Sequence, residues 1–281
     1  MSSRASSRME RPAECEALSW KPRSGRPPPA VSLGQYSMNP PKHDAVSDAP
    51  MIDDSNSAWR RRLRTNRWFI VLEMALVACV FVADAYHRVY LSKTPYLIAL
   101  GWISLTLRGQ RWREVGLSIP ANWRRLLWVG LLAGGAMELL EIFATQPLLV
   151  ALTGKYPDLS ALRELVGSVR MLLIAVGASW LLAAFGEEIV WRGYVLNRML
   201  DLIGRSRLGW LVSVAIVSFV FGLAHANQDW TGIIENALDG ALLAVLYIAC
   251  GRNLFAPIVA HGVTDTIDSV IIFLGHYPGM H

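Results

Sequence analysis

Apolar residues fall into seven runs separated by short polar connections: 67–86, 95–107, 126–152, 171–200, 208–224, 232–250 and 254–274. A spanning helix needs about 17–25 mostly apolar residues, since each residue rises about 1.5 Å and the hydrocarbon core is about 30 Å thick. Most of the runs reach that length. The run 95–107 is short and is expected to be tilted, half-inserted or extended at its ends. The pattern predicts an all-α polytopic transmembrane bundle of about seven spanning helices over residues 66–281. Residues 1–65 are different material, rich in Ser, Pro, Arg and Gly, with Arg26-Pro-Pro-Pro29 and Asn39-Pro-Pro41 and little apolar periodicity. They read as a disordered basic tail. The first thirty residues lack the apolar core of a secretory signal, and Met38 and Met51 offer alternative starts.

Composition agrees with a membrane class. Hydrophobic residues make up 53% and charged residues 17% of the chain, whereas soluble domains are nearer a quarter charged; mean hydropathy is +0.33. The net charge of +5 raises nucleic acid as a partner, but the basic residues cluster at the ends of apolar runs. Arg60, Arg61, Arg62, Arg64 and Arg67 precede or open the first run, Arg108, Arg111, Arg113, Arg124 and Arg125 lie between the second and third, Arg198, Arg205 and Arg207 between the fourth and fifth, and Arg252 between the sixth and seventh. Cytosolic connections carry such an excess, so the amino terminus is expected in the cytosol and, after seven spans, the carboxyl terminus outside. Lipid is the implied surrounding, nucleic acid is not a partner, and the simplest location is a bacterial inner membrane, an organelle or endoplasmic-reticulum membrane being the alternative. The Arg- and Trp-bearing segment 110–125 reads as an interfacial anchor. Cys15, Cys79 and Cys250 are too few and scattered for a disulfide framework or a cysteine-based zinc site.

Polar residues inside the runs carry the chemistry. An ionisable group at bilayer depth costs several kcal/mol unless it is paired or faces water, so each marks a candidate functional site. Glu187, Glu188 and Arg192 lie in the fourth run, His225 at the end of the fifth, and His261 and Asp265 in the seventh. At about 1.5 Å per residue, Glu187 stands roughly 20 Å and His225 roughly 25 Å from the same membrane side, while His261 and Asp265 stand roughly 10 and 16 Å from it. Antiparallel neighbours would bring the first two together, and a tilt or solvent-filled cavity the others. Glu188/Arg192 and His261/Asp265 are each four apart and share a helix face; Glu187 points about 100° from Glu188, so one arginine cannot easily satisfy both. Glu73, Asp84, Glu138, Glu141 and Asp268 fit no such pattern, whereas Glu235 and Asp239, four apart in the sixth run, suit a secondary role lining a cavity.

Taken in order, Glu187-Glu188-x-x-x-Arg192, Phe221-x-x-x-His225 and His261-x-x-x-Asp265 resemble the CAAX protease and bacteriocin-processing (CPBP, or Abi) family of intramembrane endopeptidases. The resemblance covers about 165–275 and extends to Arg192-Gly-Tyr194 and Leu254-Phe-Ala-Pro257-Ile-Val-Ala-His261. It implies that Glu187 and His225 position and deprotonate a water, that His261 with Asp265 stabilises the oxyanion, and that Glu188 and Arg192 brace the site. The family often has Asn where this chain has Asp265, and an ionised aspartate cannot donate a hydrogen bond as an amide does. The implied reaction is hydrolysis of a peptide bond in a peptide or protein substrate, from a cytosol-facing cavity. The eukaryotic branch acts beside a prenylated cysteine, and nothing in the sequence decides whether the substrate here is lipidated.

A Glu/His/His set is also able to hold zinc, in which case Glu187, His225 and His261 are the ligands. The glutamate mechanism without a metal is favoured, because no His-Glu-x-x-His motif is present and the two histidines come from different runs. Two other classes share these features: a non-catalytic immunity or scaffold protein that keeps the fold, and a proton-coupled transporter. The transporter reading expects internal symmetry, which the sequence lacks.

Overall fold

The computed structural model describes residues 54–90 and 92–279, and these are helical with no strand among them. Ten α-helices follow in order: α1 Asp54–Thr65, α2 Arg67–Ala85, α3 Lys93–Leu107, α4 Trp123–Leu140, α5 Gln146–Thr153, α6 Val169–Ala178, α7 Leu196–Ile203, α8 Arg207–Leu223, α9 Asp229–Ala249 and α10 Phe255–Phe273. A π-helical segment joins α4 to α5, and two more, Ser179–Glu187 and Ile189–Val195, join α6 to α7. All seven apolar runs therefore form helices. Five stretches are long and apolar enough to cross a membrane: Arg67–Ala85, Trp123–Thr153, Val169–Ile203, Ala226–Ala249 and Phe255–Phe273. The other two fall short, α3 with 15 residues and α8 with 17, about 22 and 25 Å of helix against a core of about 30 Å.

The tail boundary also differs from the sequence reading. Residues 1–53 lie outside the described residues, but Asp54–Thr65 is helix rather than tail. A tertiary contact supplies what local apolar pattern does not: Arg64 Nε donates to the Arg108 carbonyl at 2.9 Å. Polar residues set the helix starts. Asn66, Ser92, Ser168 and Ser206 each accept a hydrogen bond from a backbone N–H of the first turn of α2, α3, α6 and α8, satisfying donors that a helix start leaves free.

Large apolar side chains such as Leu132, Phe143, Leu173, Leu181 and Leu208 face outward, as expected of a bundle surrounded by hydrocarbon. The largest buried cluster is built round Ile189, Trp191, Tyr194, Leu196 and Leu200, packed on Val217, Phe221, Tyr247 and Leu254. Some buried polar groups are paired. Arg108 meets Glu73 with both guanidinium nitrogens, NH2 at 2.6 Å from Oε2, and takes Ser104 Oγ at 2.7 Å. The 110–125 segment is tied to the rest of the protein: Val115 is buried, its carbonyl accepts from Tyr247 Oη at 3.0 Å, and Gly116, at φ 106°, accepts the Leu254 N–H at 3.0 Å.

Close packing of α4 on α10 fixes the position of the seventh run. Gly130 and Gly134, one helical turn apart, face Ala256, Val259 and Ala260; a Cβ on Gly134 would stand 2.5 Å from the Ala260 carbonyl oxygen and 2.8 Å from Val263 Cβ. Small residues at this spacing let two helix backbones approach where no hydrophobic force holds them together.

Candidate active site

The Glu-Glu pair sits where two π-helical segments meet, Glu187 ending one and Glu188 preceding the next. Such wide turns recur at functional sites because they re-aim side chains without breaking the helix. Here the neighbours diverge. Glu188 is fully buried, and its Oε1 accepts from Arg192 NH1 at 2.6 Å and from His261 Nδ1 at 2.9 Å. Glu187 is half-buried and lines a cavity. Arg192 also donates through NH2 to the Gly240 carbonyl at 3.1 Å and lies over the Phe221 ring, 4.8 Å from its centroid. The sequence expectation of a Glu188/Arg192 brace is thus extended by a link that spacing alone does not show, because His261 is 73 residues from Glu188.

That link orients the imidazole. A carboxylate only accepts, so Nδ1 of His261 carries hydrogen and Nε2 is left towards Asp265, whose Oδ1 is 3.7 Å away. Thr264 sits on the same turn, donating to the His261 carbonyl at 2.8 Å. Gly262 lets the Trp180 ring press on α10, and Trp180 Nε1 donates to Thr266 Oγ1 at 3.0 Å. His225 lies just beyond the end of α8. Its Nδ1 donates to the Phe221 carbonyl at 2.9 Å, which leaves Nε2 free, and its ring packs edge-on to Phe221 with centroids 4.9 Å apart.

A cavity of about 370 Å³ gathers Glu187, His225, His261 and Asp265 in one lining. Glu188 and Arg192 stand behind it. Glu235 and Asp239 line it, as expected, and so do Glu141 and Asp268, which fit no pattern in the sequence. One signal was present: Asp268 follows Asp265 by three residues and so shares its helix face. Glu141 is held at the wall by Tyr277 Oη at 3.1 Å and Gln146 Nε2 at 3.2 Å. Burial, with the carboxyls of Asp268 and Glu141 nearby, pushes the Tyr277 hydroxyl well above the usual phenol range, so it remains a donor.

The cavity's loops reveal which end it belongs to. Leu159, Leu162 and Leu165 come from the α5–α6 connection, Gln228 from the α8–α9 turn and Tyr277 from beyond α10. These loops touch one another: Asp158 N–H donates to the Gln228 carbonyl at 3.1 Å and Gly167 N–H to the Phe273 carbonyl at 2.9 Å. They join the helix ends opposite to those joined by the arginine-rich connections. With the basic connections in the cytosol, the charge rule sets these loops on the opposite side.

The zinc set named from the sequence is not gathered as placed: among the described residues no three His, Cys, Asp or Glu side chains are grouped to hold a metal ion. Each histidine commits Nδ1 to a protein oxygen and keeps Nε2 available, an arrangement that serves a metal ligand as well as a hydrogen-bonding group.

No curated protein and no solved structure gives a significant match to this chain. Residues 169–267 match the family model described as Type II CAAX prenyl endopeptidase Rce1-like. This stretch begins with α6, includes the Glu-Glu pair and His225, and ends two residues after Asp265. The protein is an integral membrane helix bundle, and its residues 169–267 are similar to the CAAX-type endopeptidase family that its three motifs resemble.

Proposed function

We propose that the chain is an intramembrane endopeptidase in which Glu187 and His225 activate a water for attack on a peptide carbonyl. The observation that carries this reading is the convergence of Glu187, His225, His261 and Asp265 on one cavity from three separate segments. The protein's residues divide the work. Nε2 of His225 accepts a hydrogen bond from the water and orients it; Glu187 takes the proton as the oxygen adds to the carbonyl carbon and passes it to the leaving amine. The negative charge that develops on the carbonyl oxygen falls to His261. Flanked by a carboxylate at each nitrogen, a doubly protonated ring presents an Nε2–H to the oxyanion, with Asp265 holding the charge rather than donating. Glu188 is a positioning residue that acts through His261.

The cavity's loops lie away from the basic connections, so the charge rule gives substrate access from the non-cytosolic side. This replaces the cytosol-facing expectation and fits a bacterial inner membrane with a peptide supplied from outside. Lipidation of that peptide has no residue to argue for it. The test is cleavage of a quenched peptide by the purified chain in detergent, with and without chelator. Loss in His225→Ala with survival in chelator supports this reading; loss in chelator replaces the glutamate mechanism by a metal-dependent one.

A further inference from the structure

The cavity has a second wall that the hydrolytic residues do not use. Glu141, Glu235, Asp239 and Asp268 line it, and neither Lys nor Arg does. Its acceptors exceed its donors. Behind the wall Gln146, fully buried, spends its amide nitrogen on Glu141 and on Tyr277 Oη at 2.7 Å, leaving its amide oxygen without a donor. With the carboxyls ionised, Glu235 Oε1, Asp268 Oδ1 and, behind them, both oxygens of Glu138, which is 2% exposed, have no donor among the described residues; their neighbours are other carboxyls, Glu141 beside Glu235 and Asp268 beside Glu138. A buried acceptor without a donor costs about 1–3 kcal/mol, so a wall with several of them favours whatever brings N–H groups.

Resting on the endopeptidase reading, we propose that this acidic wall is a specificity subsite for a cationic side chain of the substrate, arginine above all. The chemistry selects the occupant. A compact metal ion is disfavoured, because no three of these carboxylates are grouped round one point. A guanidinium instead spreads five N–H donors over a planar fork that matches carboxylate oxygens in pairs. The whole cavity, hydrolytic wall included, has a volume of about 370 Å³, within the usual size of a ligand pocket, about 300–1,000 Å³. The wall is continuous with Asp265 and His261 in the same lining, so the occupant is a residue beside the scissile bond.

Binding tests this independently of turnover. Fluorescent peptides that differ only in one arginine or its neutral isostere citrulline are titrated onto the full chain in nanodiscs of phosphatidylcholine, whose headgroups carry no net charge. The arginine peptide is expected to bind at least about tenfold more tightly to the wild type, and the difference to vanish in Glu235→Gln/Asp239→Asn with the thermal midpoint confirming a folded chain. Equal binding of the pair to the wild type, no binding of either, or a preference that survives in the folded double variant overturns the subsite. Should the double variant not fold, the wild-type comparison decides. Cleavage is followed in the same samples: an arginine preference in binding with no cleavage of any peptide would remove the endopeptidase reading and leave the subsite standing.

Discussion

His261 Nδ1 donates to Glu188 Oε1 across 2.9 Å, and the same oxygen receives Arg192 NH1 at 2.6 Å. One buried carboxylate oxygen therefore holds an arginine from its own helix and a histidine from α10. The contact ties the family's first motif to its third. It also fixes which nitrogen of His261 faces the cavity.

Replacing Glu188 separates the positioning role from mere packing. Glu188→Ala leaves Arg192, 2% exposed, without its carboxylate, and breaking a buried pair costs about 3–5 kcal/mol. The thermal midpoint is expected to fall steeply. Glu188→Gln keeps the shape and an acceptor oxygen, so the midpoint falls less, while kcat drops with KM nearly unchanged. A Glu188→Gln variant with wild-type kcat would remove the positioning role.

The α4–α10 contact predicts a distant effect on the site. Gly134→Leu forces a side chain against the Ala260 backbone, next to His261. Overpacking of this kind costs about 1–3 kcal/mol, and here relief must move α10. Cleavage is expected to fall more than the loss of stability accounts for, whereas Gly135→Leu, where a Cβ meets nothing within 4 Å, leaves both unchanged.

Sidedness is open to direct labelling. In a chain whose cysteines are replaced, Ala161→Cys in the α5–α6 loop and Arg111→Cys after α3 lie at opposite ends and are both exposed. A membrane-impermeant maleimide applied to intact cells is expected to label position 161 and spare position 111. The reverse pattern would restore the cytosol-facing cavity.

Much of this architecture was legible in the apolar runs, because a bilayer demands helices and helices demand length. The family motifs were equally plain, being three short patterns in fixed order. What the sequence hid is tertiary. Glu141 and Glu188 make their deciding contacts with Tyr277 and His261, 136 and 73 residues away, and no local spacing encodes such a meeting. The helix over Asp54–Thr65 was missed for the same reason, since its anchor on Arg108 lies 44 residues on. The loops that border the cavity are also separated in sequence and meet only in the fold.

The central claim is that Glu187 drives peptide hydrolysis. The most direct measurement is the cleavage of a peptide library by purified wild type and Glu187→Gln in matched nanodiscs, with products mapped by mass spectrometry. General base catalysis contributes about 10²–10⁴-fold, so the variant is predicted to retain its fold and lose at least about 100-fold in rate at every site the wild type cuts. Equal cleavage by the folded variant, or no wild-type cleavage of any peptide, would contradict the account.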